Sequence, residues 1–275
     1  MSMLKASRLL PAVTLGAWRR WLLALPLSLA MAACGLIAAT PAGAQEDDIA
    51  NEYRLTLFPN YPLGDRLTGF GYLGYVTNPD RDYKLYYLGW PGFAWTAKPR
   101  VLQIWTGLFG IYTDNGAKSD KLELRPFVGV KAFVPNDAKI NLYNFTRYEY
   151  RATKDLDTDD WKYVNRFRTR FGAEIPLVSR ERAWQHKTFY AIADAEAFYR
   201  FDRDTWDPVR LRAGLGYVLA GICRAELIYH AQFTRPTAEG QGPLEYTDNI
   251  FRLNIKIGMQ KGLVQRVFDG GDAGD

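Results

Sequence analysis

The stretch Trp161–Leu177, WKYVNRFRTRFGAEIPL, alternates two kinds of side chain. Tyr163, Phe167, Thr169, Phe171, Ala173, Ile175 and Leu177 fall on odd positions, while Arg166, Arg168, Arg170 and Glu174 fall on even ones. An extended strand sends successive side chains to opposite faces. One face of this strand is therefore apolar and the other charged. A soluble sandwich would turn the apolar face into a core, and a membrane barrel would turn it out to lipid. The number of neighbours that repeat the pattern, and what precedes them, decides between the two.

The pattern recurs along the chain. Lys121–Phe133 sets Leu122, Leu124, Val128 and Val130 against Glu123, Arg125 and Lys131, and Lys139–Arg151 sets Ile140, Leu142, Tyr148 and Tyr150 against Arg147 and Glu149. Thr188–Phe201 opposes alanines and Tyr199 to Asp194, Glu196 and Arg200. Val209–Leu219 opposes Leu211 and Leu215 to Arg210 and Arg212. Ile222–Arg235 carries Arg224, Glu226, His230 and Gln232 on its polar face, and Asp248–Gln260 carries Arg252 and Lys256. Leu67–Thr77, Tyr83–Ala97 and Val101–Thr113 are more aromatic and alternate less cleanly. With Trp161–Leu177 these make about ten runs. They are long for a soluble sandwich and suit the roughly 9–11 residues of a tilted membrane-crossing strand. The expected fold is all-β, a closed antiparallel up-and-down transmembrane β-barrel of about 10 strands, with 8–12 allowed. An even count closes such a barrel without a free edge.

An export signal leads the chain. Residues 1–44 hold Lys5, Arg8, Arg19 and Arg20 and no acid, and an uncharged run ends in Ala42-Gly43-Ala44. A basic start, an apolar centre and small residues at the cleavage point describe a Sec signal peptide removed from the mature protein. Of 35 basic and 30 acidic residues, four basic ones lie in this segment, so the mature chain is close to neutral. Nucleic acid is therefore not an expected partner. One of the two cysteines, Cys34, leaves with the signal, so Cys223 has no internal disulfide partner. The expected boundaries are a signal at 1–44, a periplasmic segment at 45–66, the barrel at 67–268 and a tail at 269–275, with Phe268 standing for the terminal aromatic. The expected location is the outer membrane of a Gram-negative bacterium, with lipid, lipopolysaccharide and the barrel-assembly machinery as partners.

Two features bear on orientation. Most connections alternate short and long, matching the short inner turns and longer outer loops of such barrels. An even count would place both termini in the periplasm. Trp161, Tyr163, Tyr199 and Trp206 fall at outer strand ends and Trp95 and Trp184 at inner ones, where amphipathic rings favour the membrane–water boundary.

The segments NRFRTRFGAEIPL, AEAFYRF, VRLRAGLGYVL, RAELIYH and DNIFRLNIKIGM together resemble a family of small proteobacterial outer-membrane barrels catalogued as a domain of unknown function. The resemblance spans approximately residues 50–260. It implies the fold and the location, and no reaction.

Function rests on the inward charges. Glu123, Arg125, Arg147, Glu149, Arg166, Arg168, Arg170, Glu174, Asp194, Glu196, Arg210, Arg212, Arg224, Glu226, Arg252 and Lys256 are expected to fill a narrow lumen as a network of ion pairs. The role that follows is structural, or a slim passage for a small solute. The alternative is an outer-membrane hydrolase or protease built on inward-facing His230, with Asp194 or Glu196 as the acid. Ser119 and Ser179, the two serines past the signal, lie in connections, which argues against a serine nucleophile. Asp155, Asp157, Asp159 and Asp160 fail the calcium-loop pattern, with Asp160 at the sixth position and Arg166 at the twelfth. No cofactor or metal is expected.

Overall fold

The alternation becomes a ring of strands. The computed structural model describes residues 49–220, 223–235 and 242–258. The signal segment 1–44, Phe268 and the tail 269–275 lie outside the described residues. The strands are β1 (Ala50–Pro62), β2 (Leu67–Asn78), β3 (Tyr83–Lys98), β4 (Leu102–Asp114), β5 (Lys121–Val134) and β6 (Asn141–Asp155). They continue as β7 (Trp161–Pro176), β8 (Phe189–Arg200), β9 (Thr205–Ala220), β10 (Cys223–Thr234) and β11 (Glu245–Gly258). Each pairs with its sequence neighbours, and β11 pairs with β1 to close a barrel. Helical structure among the described residues amounts to 3₁₀ turns at Pro79–Arg81 and Arg180–Arg182. No helix there is long and apolar enough to cross a membrane.

The closed all-β architecture agrees with expectation, its eleven strands fall within the 8–12 allowed, and the place of the first strand corrects one boundary. The segment placed ahead of the barrel, 45–66, contains β1, which completes the ring. Glu52, Arg54 and Thr56 alternate there with Tyr53, Leu55 and Leu57. Eleven strands make an odd ring. When every consecutive pair is antiparallel, the first and last strands of an odd ring must run the same way. The closing seam is accordingly parallel, with Ala50 opposite Asp248 and Asn60 opposite Gly258, and all other pairs are antiparallel. The barrel is thus mixed instead of purely up-and-down. The start of β1 and the end of β11 consequently lie at opposite ends, contrary to the shared location expected from an even count.

Two prolines interrupt the ladder. The register of β3 skips between Gly89 and Gly92 around Trp90-Pro91, and that of β8 with β9 shifts near Trp206–Pro208. Proline has no N–H to donate, so it sits in a sheet where the pairing already breaks.

The outward face is apolar: Leu227, Tyr163 and Leu88 are 66%, 58% and 57% exposed. The inward face divides in two. On β2–β5, Phe70, Ala94, Phe109, Ile111 and Phe127 form a buried cluster against which Phe58, Tyr72, Tyr87 and Trp105 pack. Phe109 stacks on Phe127 at 5.3 Å between centroids, and Phe70 lies 4.8 Å from Trp105. On β6–β11 buried charged side chains, among them Glu149, Glu174, Glu196, Arg212 and Glu226, alternate with a smaller apolar cluster of Tyr190, Ile192, Val218 and Ile228. Glycine makes room for the large rings. A Cβ on Gly92 would lie 2.3 Å from the Phe70 ring, and one on Gly216 would lie 2.1 Å from that of Tyr190.

Candidate functional site

The lumen is the candidate site, and its charges are arranged by register. Glu149 on β6 faces Arg166 on β7, and Arg147 faces Arg168. Glu196 on β8 faces Arg170 on β7 and Arg210 on β9, and Asp194 faces Arg212. An antiparallel sheet places such partners side by side on one face, within reach of long side chains.

The carboxylates are shared. Glu149 pairs with Arg147 at 2.5 Å, with Arg166, and with Arg168 at 3.7 Å. Glu196 takes Arg168 and Arg170, the latter at 2.7 Å, and Asp194 takes Arg212. Glu123 receives Arg151 through two nitrogens at 2.7 and 2.8 Å and Arg125 at 2.6 Å. At the end of the barrel reached by the end of β11, Lys256 bridges Glu226 at 2.5 Å and Glu174 at 3.4 Å, and Arg224 lies 3.5 Å from Glu174. The Tyr190 hydroxyl donates to Glu226 at 2.7 Å. The Phe198 ring lies under the guanidinium groups of Arg166, Arg168 and Arg210 at 4.8, 4.8 and 4.9 Å. Buried charge is costly unless paired and hydrogen-bonded, and this ladder meets most of that requirement.

Cations remain in surplus. A cavity of about 450 Å³ occupies the lumen, lined by twelve Arg and Lys side chains against five carboxylates. Glu123 and Glu149 are buried in the same wall and do not make up the difference. Among the described residues Arg252 forms no ion pair and its Nε has no hydrogen-bond partner. Among the described residues Arg210 donates only to Gln232, at 2.6 Å, which in turn donates to Asp248 at 2.6 Å. Lys131 rests on the Tyr143 ring at 4.4 Å instead of a carboxylate.

His230 is 1% exposed, and neither ring nitrogen has a hydrogen-bond partner among the described residues. It faces the cavity, with Arg212 as its register partner on β9. The acids considered as its partners are engaged elsewhere, Asp194 by Arg212 and Glu196 by Arg168 and Arg170. Ser119 donates to Asp155, far along the chain from the lumen wall that holds His230. Among the described residues no Asp–His or Ser–His pair is assembled. Asp155 also accepts from the backbone N–H of Asp157 and Thr158, so its carboxylate organises a turn. Among the described residues no group of three or more His, Cys, Asp or Glu side chains could hold a metal ion.

The aromatic residues expected at the membrane boundary separate. Trp95, Trp161, Tyr163 and Trp206 are exposed on the outer face, and Tyr199 packs beside Trp206 at 5.4 Å. Trp184 lies differently. It folds from the β7–β8 connection against buried Tyr190, 5.0 Å away, and donates its indole N–H to the Lys139 carbonyl at 2.8 Å. It covers the charged cluster of Arg224 and Tyr190 instead of facing outward. The inward residues that sequence reasoning missed are Glu52 and Arg54, an ion pair on β1. Their alternation with Tyr53, Leu55 and Leu57 was the available signal.

The family model described as a protein of unknown function (DUF2490) matches residues 51–242, which runs from β1 to the connection before β11. The chain belongs to this family. No curated protein and no solved structure matches it.

Proposed function

We propose that this DUF2490 protein is an outer-membrane β-barrel of a Gram-negative bacterium, exported through the Sec pathway, whose charge-filled lumen keeps it from acting as an open pore. The observation that carries this reading is the inversion of the two faces. The outer surface is apolar over the length of the strands, with Leu227, Leu215 and Leu253 exposed, while Glu149, Glu196 and Glu226 are buried inside. Lipid can accept the first arrangement, whereas water favours the reverse. The strands, 12 to 16 residues long, exceed what a tilted crossing requires. Closure without a free edge also suits lipid, where an unpaired strand edge is not tolerated. Lipid, lipopolysaccharide and the barrel-assembly machinery are the partners this setting entails. The ladder around Glu149 and Glu196 fixes the register of β6 to β9 and leaves space for at most a small solute.

Extraction and conductance test the proposal. The mature protein should require detergent and should run faster on a gel before heating than after. Recovery in detergent-free buffer would overturn the membrane reading. In planar bilayers the purified barrel should show no large steady openings, and porin-like conductance would overturn the filled lumen.

A further inference from the structure

The cavity is amphipathic, and its charged side is incompletely paired. Four adjacent strands, β9, β10, β11 and β1, supply Arg210, Arg212, His230, Arg252 and Arg54. At the parallel seam Arg54 and Arg252 are direct register partners. Like charges placed opposite one another in a sheet are unfavourable. Arg54 is compensated by Glu52, whereas Arg252 has no carboxylate partner among the described residues. His230, between Arg212 and Ile250 in the register, presents an unpartnered ring to the same space. Buried polar groups are nearly always satisfied. A group that accepts hydrogen bonds and carries negative charge is the partner that suits Arg252.

Apolar rings line the rest of the same cavity. Phe58, Phe70, Tyr72, Trp105, Phe109 and Phe127 form a continuous surface from β1 to β5. Tyr72 on β2 joins the two regions. Its hydroxyl lies 3.4 Å from that of Thr56 on β1, and its ring meets Phe109 edge-on at 5.4 Å. The volume of about 450 Å³ falls within the roughly 300–1,000 Å³ of small-molecule sites. Mostly apolar walls with a few convergent polar groups are the usual make-up of such a site.

We propose that the lumen holds a binding site for a small organic anion, an oxyanion head seated among Arg252, Arg210 and His230 with a flat apolar or aromatic body against Phe109 and Trp105. Guanidinium groups suit the oxygens of carboxylates and phosphates. Binding neutralises Arg252 and gives the His230 N–H an acceptor, so the free barrel carries an electrostatic cost that the ligand relieves. The site belongs to the lumen and does not depend on the barrel's location. It is testable in detergent or in buffer, whichever the protein requires.

The probes are 1-naphthoate, neutral 1-naphthol and inorganic phosphate, titrated calorimetrically into the purified full-length barrel and into a protein-free blank. 1-Naphthoate should bind saturably at one site, about tenfold or more tighter than either comparison probe. Arg252→Gln should weaken it about tenfold or more, because a charge-assisted contact is lost. That substitution strands no carboxylate, so the β-sheet circular dichroism of the barrel should persist; if it does not, Arg210→Gln serves in its place. The His230 ring signals in an NMR spectrum should move on titration with 1-naphthoate and stay fixed with 1-naphthol. Failure of 1-naphthoate to saturate, equal affinity for 1-naphthol, or unchanged affinity in the arginine variant would each overturn the proposal.

Discussion

The two walls of the lumen solve the same packing problem with different chemistry. On β2–β4 the inward positions are aromatic, and interlocking rings fill the space without any need for pairing. On β6–β11 the apolar cluster of Tyr190, Ile192, Val218 and Ile228 is smaller, and most of the space is filled by guanidinium and carboxylate groups that must find each other. The aromatic wall tolerates loss of one member, because its neighbours lose only contact area. The charged wall does not, because removing one carboxylate leaves several buried cations without a counter-charge. Arg147 is the hinge between the two, pairing with Glu149 while lying over the Phe127 ring at 5.1 Å.

That contrast can be broken by substitution. Glu149→Ala should have the largest effect, since Arg147, Arg166 and Arg168 all lose their shared acid. Breaking a buried pair by removing one partner costs about 3–5 kcal/mol, and a urea unfolding midpoint in lipid or detergent would register it. A loss below about 1 kcal/mol would mean that water already screens this wall. Leu227→Arg on the outer face comes next. It should destabilise the barrel in lipid by about 2–4 kcal/mol if the residue sits near mid-membrane. The same change should be almost silent if that face meets water, so comparing refolding yields with and without bilayers checks it. Phe109→Leu on the aromatic wall should cost less, about 1–2 kcal/mol, through partial loss of stacking and area. If it equalled Glu149→Ala, the distinction between the walls would fail.

The smallest effect concerns a connection and its acidity. The Tyr112 hydroxyl donates to Asp120, which holds that carboxyl below its ordinary value. A depressed folded-state value means stabilisation that is present above the unfolded value of about 4 and is lost as the pH falls through the lower folded value. Asp120→Asn should therefore loosen the β4–β5 connection at neutral pH, and the difference from wild type should shrink on acidification below that range. Limited proteolysis at the connection, using an acid-stable protease for the low-pH arm, would read it. A gap that widened in acid would contradict the assigned donor.

Legibility in the sequence followed the same division. The charged wall could be read residue by residue, because Arg166, Arg168 and Arg170 contrast with Phe167, Thr169 and Phe171 on alternate positions. The aromatic wall could not. On β2 both Phe70 and Tyr72, which face in, and Leu73 and Tyr75, which face out, are apolar, so alternation carries no information. β1 has a readable pattern in Glu52, Arg54 and Thr56, but Pro59, Asn60 and Pro62 truncate it. The packing of Trp184 is not legible in the sequence, because periodicity says nothing about where a connection folds back. Its contact with Tyr190 depends on the three-dimensional course of residues 177–188. The open valence around Arg252 was likewise invisible, since Arg54, its seam partner, is almost two hundred residues away in the chain.

The parallel seam also governs how the polypeptide could be rewired. Eleven paired positions separate the level of Ala50 from that of Gly258 along the barrel wall, roughly 33 Å at the rise of an extended chain. A circular permutant joining these ends would need a linker long enough to climb the full height of the wall, where an even-stranded barrel would need only a tight turn. In a barrel that crosses a membrane, tags fused at the two ends would emerge on opposite sides, so a protease confined to one side would remove one and spare the other.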